Sequence, residues 1–94
     1  MAKLTKKEIT ARLKDLDGWK LDDQTIERNL EFEDFGDAID FINRIADHAE
    51  DADHHPEIFN VYNTVKLRLT THDADGLTAK DFDLAALIDD EVEV

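Results

Sequence analysis

The order and spacing of the apolar residues predict an α+β domain: a four-stranded antiparallel sheet covered by helices on one face, in the order β-β-α-β-β-α, with one extra helix at the N-terminus. Three observations carry this prediction. Apolar residues recur at helical spacing in three separated stretches. They alternate with polar residues in two further stretches, which lie between the helical ones. Each alternating stretch is long for one strand and contains turn-forming residues near its middle, so it reads as a strand pair.

The first helical stretch, residues 5–16 (TKKEITARLKDL), opens on a threonine, sets Ile9, Leu13 and Leu16 on one side, and runs into the stop signal Asp17-Gly18. From Trp19 to Phe32 the period changes: a short strand at WKL, a polar turn at DDQ, then TIERNLEF with Ile26, Leu30 and Phe32 largely alternating with polar residues. Helical spacing returns from Asp34 to Asp51, with Asp34 as N-cap and Phe35, Ala38, Ile39, Ile42, Ala46 and Ala49 predicted on the inner face. Pro56 ends that pattern and biases His55 away from helical angles, so His54 and His55 are expected in an extended or turning segment.

Residues 58–72 (IFNVYNTVKLRLTTH) are rich in β-branched and aromatic side chains and are expected to form two strands turning near Tyr62 to Thr64. HDADG is a loop. Thr78 is then read as an N-cap, Asp81 as the N3 residue, and Leu77 with Phe82 as a hydrophobic staple; the following helix is expected to carry Leu84, Ala85, Leu87 and Ile88 inward and to fray over 91–94.

Ninety-four residues accommodate one domain, 1–94, with one modest core. The absence of cysteine excludes a disulfide framework, a thiolate zinc site and a cysteine nucleophile. A net charge of −13 repels phosphate backbones, so direct nucleic-acid binding is not expected. Without an apolar run of spanning length or a leader pattern, no membrane partner is expected and a cytoplasmic location is the default.

Three of the four histidines flank the second strand pair. Placing Phe59 and Val61 on the core face with Val65, Leu67 and Leu69, around a three-residue turn, sets His54 opposite His72. A two-residue turn sets His55 there instead, with mismatched apolar faces. Either register brings the His54-His55 segment near His72. Because imidazole titrates near neutral pH, such a cluster can hold a proton donor and a proton acceptor together. Asp53 and Glu50 lie close enough in sequence to orient a ring. A histidine–carboxylate metal site is a weaker alternative, because no helical H-x-x-x-H or H-E-x-x-H spacing occurs. His48 falls near a helix C-terminus, where the dipole or exposure accounts for it.

Glu50, His54-His55-Pro56, Tyr62, His72 and Asp81, at these intervals, resemble the pattern of the pterin-4a-carbinolamine dehydratases. The resemblance covers nearly the whole chain, including Gly18-Trp19, FNVYN at 59–63, Thr70-Thr71-His72 and Gly76-Leu77. It implies a hydro-lyase that removes water from 4a-hydroxytetrahydropterin to give the quinonoid dihydropterin, in tetrahydropterin recycling, with the pterin as substrate and no metal or redox cofactor. By position, His54, His55 and His72 would be catalytic: His54 and His72 as acid and base on opposite faces of C4a, His55 holding the ring. Glu50, Asp53, Thr70, Thr71 and Asp73 would join the three histidines in binding the substrate. Ile58 and Lys80 depart from the better-known members, which carry an aromatic and an arginine there. The resemblance also implies a homodimer or homotetramer, and an alternative role as a non-enzymatic binding module, the dimerisation cofactor of a homeodomain transcription factor. The unprotected edge of a small sheet is an independent reason to expect self-pairing.

Overall fold

The computed structural model describes residues 3–92. Its elements are α1 (Lys6–Leu13), β1 (Lys20–Asp22), β2 (Thr25–Glu31), α2 (Phe35–Ala52), β3 (Glu57–Val61), β4 (Thr64–Leu69) and α3 (Ala79–Val92), with a short 3-10 turn at His72–Ala74 inside the segment read from sequence as a loop. The strands form one antiparallel sheet in the order β1-β2-β4-β3, with α2 and α3 packed against each other over one face. This is the α+β arrangement the apolar periods predict.

Local signals account for the element ends. Thr5 caps α1 through a reciprocal pair of bonds, Glu8 N–H to Thr5 Oγ1 and Thr5 N–H to Glu8 Oε1. The helix ends at Leu13, so Leu16 packs against the core from the turn that follows it. Asp34 caps α2 by accepting the Asp37 N–H at 2.8 Å.

The buried stripe of α2 is Ala38, Phe41, Ile45 and Ala49. That corrects the expected face, since Phe35 and Ala46 are exposed and Phe41 and Ile45 replace them. A five-turn helix carries apolar residues at several angles, and the sheet beneath selects among them. Likewise Leu84, Ala85 and Ile88 of α3 are buried, whereas Leu87 stands out at 39% exposure. Glu91 lies within the helix; residues 93–94, also expected to fray, fall outside the described part.

The β3–β4 hairpin takes the two-residue turn, with the mismatched apolar faces expected of it, but its register sets neither His54 nor His55 opposite His72. Ile58 pairs with Leu67 and Asn60 with Val65 around a two-residue turn at Tyr62-Asn63, and the ladder ends at Glu57 and Arg68. Phe59 and Val61 therefore face away from the helices, 62% and 72% exposed. Two-residue turns match the twist of paired strands. Here Tyr62 takes a left-handed φ of 50°, and Asn60 Nδ2 donates to the carbonyls of Tyr62 and Thr64. Because the helices cover one face of the sheet, the outward side of β3 stays uncovered.

Beneath the helices lie Ile26, Val65, Leu67 and Leu69. The opposite sheet face carries charged side chains, with Glu27 between Lys66 and Arg68, beside the exposed Phe59 and Val61 of β3. At the margin of the core, Asp89 of α3 accepts from Trp19 Nε1 at 2.8 Å and pairs with Arg28 of β2, tying the last helix to the first hairpin.

Candidate active site

Two chain reversals bring the predicted residues together. At the end of α2, Asp53 adopts a left-handed φ of 51°, and its N–H bonds back to the Ala49 and Glu50 carbonyls. The His54 N–H also returns to Ala49, at 3.1 Å. Aspartate tolerates this conformation better than most residues with a Cβ. After β4, Thr71 and Gly76 form a two-way backbone bridge that closes the loop holding His72 and Asp73. Left-handed Asp75, φ 57°, completes that loop.

Between these reversals lies a cleft of about 260 Å³, walled by Asp53, His54, His55, Thr70, Thr71, His72, Asp73 and Lys80. All three predicted catalytic histidines line it. Every predicted substrate-binding residue does so as well, apart from Glu50. A hollow of about 460 Å³ on the outer sheet face, beside Phe59 and Val61, is larger but has no histidine in its wall. Size alone therefore does not locate the acid–base groups.

The histidines are held differently. His54 Nε2 lies 2.6 Å from Asp81 Oδ1, and the Asp81 side chain is fully buried. The other Asp81 oxygen accepts the Thr71 hydroxyl at 2.8 Å and the Thr78 N–H at 3.0 Å. These contacts set the protons. An ionised carboxylate only accepts, so His54 carries its hydrogen on Nε2 and leaves Nδ1 as the nitrogen available for chemistry. With the Thr71 proton committed to Asp81, the 2.8 Å bond between the two hydroxyls runs from Thr78 to Thr71. The Lys80 N–H then donates to Thr78 Oγ1 at 3.3 Å.

His55 Nε2 bonds Glu50 Oε1 at 3.2 Å in an exposed pair, so Glu50 reaches the site through His55 and not through the cleft wall. Thr70 lines the cleft, but its hydroxyl donates to the Gln24 carbonyl at 2.7 Å. His48 lies apart from the cleft. It faces Glu91 of α3 at 2.8 Å, a specific partner where the sequence suggests only a dipole or exposure.

Asp81 is the residue the sequence reading undervalued. Its N3 position was legible and one oxygen does cap α3, but the same carboxylate also orients His54 with its second oxygen. Its fixed interval after His72 in the family-like pattern was the available signal. Lys80, a departure from the family-like pattern, supplies the one lysine or arginine in the cleft wall.

Among the described residues, no three His, Asp or Glu side chains are arranged to hold a metal ion, and no helix is long and apolar enough to cross a membrane. The molecule is an α+β protein with a cleft lined by three histidines. A family model for Pterin 4 alpha carbinolamine dehydratase matches residues 2–91. A relative from Acidobacterium capsulatum is 55% identical over 95% of this chain and 97% of its own. One from Picosynechococcus is 51% identical over 93% and 95%. Both are provisionally named pterin-4-alpha-carbinolamine dehydratases. A crystal structure from Brucella melitensis, described as a transcriptional coactivator/pterin dehydratase, superposes with a TM-score of 0.92 at 40% identity, covering 95% of this chain and 97% of that one. The chain belongs to the pterin-4a-carbinolamine dehydratase family.

Proposed function

We propose that this protein eliminates water from a 4a-hydroxytetrahydropterin to give the quinonoid dihydropterin, by histidine general acid–base catalysis in tetrahydropterin recycling. The carrying observation is the meeting of His54, His55 and His72 in one cleft, with His54 locked as one tautomer by Asp81. In the reaction the C4a–O bond breaks and the hydroxyl leaves as water with a proton from the acid. The base removes the N5 proton, and that electron pair forms the C4a=N5 bond. One proton is given and one taken, so no co-reactant is consumed.

His54 and His72, on separate chain reversals, are the acid–base pair. His55, steadied by Glu50, holds the ring, and Asp53 and Asp73 offer acceptors to the donor-rich pyrimidine edge of a pterin. The hydroxyls of Thr70 and Thr71 already donate within the protein, so these residues shape the wall and offer lone pairs or backbone groups. The decisive experiment is stopped-flow dehydration of a 4a-hydroxytetrahydropterin by the protein and by His54→Ala and His72→Ala. Each variant is expected to fold and to lose about 10²–10⁴-fold in rate. Full activity in both variants would remove the acid–base assignment.

A protein-binding role is the second reading. It is favoured by the exposed apolar hairpin Ile58, Phe59, Val61 and Tyr62 on an edge strand, and by the coactivator description of the Brucella neighbour. The same edge supports assembly of this chain as a homodimer or homotetramer. Light scattering after gel filtration tests that assembly, and a monomer at micromolar concentration would count against it.

A further inference from the structure

His72 and Thr70 belong to two clefts at once. Beyond them, on the side away from His54, a second hollow of about 270 Å³ runs toward the β1–β2 turn. Small-molecule sites usually occupy about 300–1,000 Å³. Each cleft alone falls below that range, and the two together fall within it. Charge distinguishes the second hollow from the first. Asp22, Asp23, Glu57 and Asp75 line it, with Arg68 as its cation. That guanidinium already stands between carboxylates: Nη2 donates to Thr25 Oγ1 at 3.2 Å and to Asp22 at 3.5 Å, and buried Nε lies 3.8 Å from Glu27. The hollow therefore offers carboxylate acceptors and the guanidinium group of Arg68 together, which are the complements of a hydroxyl group.

Pterin chemistry supplies the connection, and the inference rests on the dehydratase reading. The substituent at C6 is one bond from N5, which loses its proton, and two from C4a. A residue acting at N5 or C4a therefore stands beside the C6 side chain. We infer that the cleft beyond His72 is the subsite for this side chain and that it selects a neutral polyhydroxyalkyl chain over an anionic, phosphorylated one. Hydroxyls would donate to Glu57, Asp75 or Asp22 and accept from Arg68. A phosphate would meet four carboxylates with one cation, itself within 3.5 Å of Asp22, in a chain of net charge −13.

The test compares dehydration of three 4a-hydroxytetrahydropterins that differ only at C6: a methyl group, a trihydroxypropyl chain, and that chain carrying a terminal phosphate. The expected kcat/KM falls from polyol to methyl to phosphate, by about tenfold at each step. In the double variant Glu57→Gln, Asp75→Asn, the phosphate-to-methyl ratio should rise by about tenfold at low ionic strength. Both residues are exposed, and asparagine tolerates the left-handed backbone of Asp75. Values of kcat/KM within twofold of each other for the three substrates, or a ratio unmoved in the double variant, would overturn the subsite and leave the dehydratase reading standing. Turnover of none of the three would overturn that reading and the subsite with it.

Discussion

His54 and His55 are neighbours in sequence, and each bonds a carboxylate through Nε2, yet the two pairs are physically different. The His54–Asp81 pair is 11% and 0% exposed, and the aspartate answers three donors. The His55–Glu50 pair is 56% and 76% exposed, at a longer 3.2 Å. Water competes for the second pair and not for the first. A buried carboxylate with every donor in place cannot turn without leaving those donors unpaired, so it can hold a ring in one tautomer. An exposed glutamate turns freely and can only bias one.

Deleting the buried carboxylate should have the largest effect. Asp81→Ala strands the Thr71 hydroxyl and the Thr78 N–H and removes the cap of α3; urea unfolding should show a loss of about 3–5 kcal/mol. Glu50→Ala, on the same measurement, should stay within about 0.5 kcal/mol of the parent. Equal losses would mean that burial does not separate the two pairs.

Asp81→Asn sharpens the difference without opening a hole. An amide that keeps its oxygen toward Thr71 and Thr78 must turn its N–H group toward His54, whose Nε2 then has to accept. The ring proton moves to Nδ1, and the nitrogen proposed for chemistry is blocked. Dehydration should slow by about 10²–10⁴-fold with the fold retained, and nitrogen NMR of the imidazole should report the exchanged tautomer. Glu50→Gln should cost less than about tenfold, because the exposed His55 ring can re-form its bond with water or the new amide.

The smallest effect belongs to a third pair of the same chemistry. The His48 hydrogen bond holds the Glu91 carboxyl below its usual value, against the opposing effect of burial and with help from the nearby charges of His48 and Arg44. A lowered folded-state pKa means that the link stabilises the protein above the ordinary carboxylate pKa and that this support is lost as pH falls through the lower, folded value. Melting temperatures of the parent and of Glu91→Gln should therefore differ slightly near neutral pH and converge in acid. A gap that widens on acidification would contradict the assignment.

Much of the fold was legible because its signals are local. Thr5, Asp34 and Thr78 mark helix starts, Pro56 ends the second helical stretch, and alternation from Val65 to Leu69 marks a strand, each within a few residues. The members of the site were legible through the resemblance and through the clustering of histidines around one hairpin. The hairpin register was not, because Phe59 and Val61 look like core residues until β3 proves to be an edge with an uncovered side. Nor was the stripe of α2, where several apolar rows compete and only contact with the sheet decides between them.

By itself the sequence determined the element order, the caps and the acidic surface, since these follow from spacing and composition. Tertiary structure decided what each imidazole is worth. Asp81 is 27 residues from His54, and nothing local distinguishes its second oxygen from that of any capping aspartate. Folding buries that carboxylate beside Thr71 and Thr78, excludes water from it, and thereby turns an ordinary helix cap into the group that sets a histidine's proton.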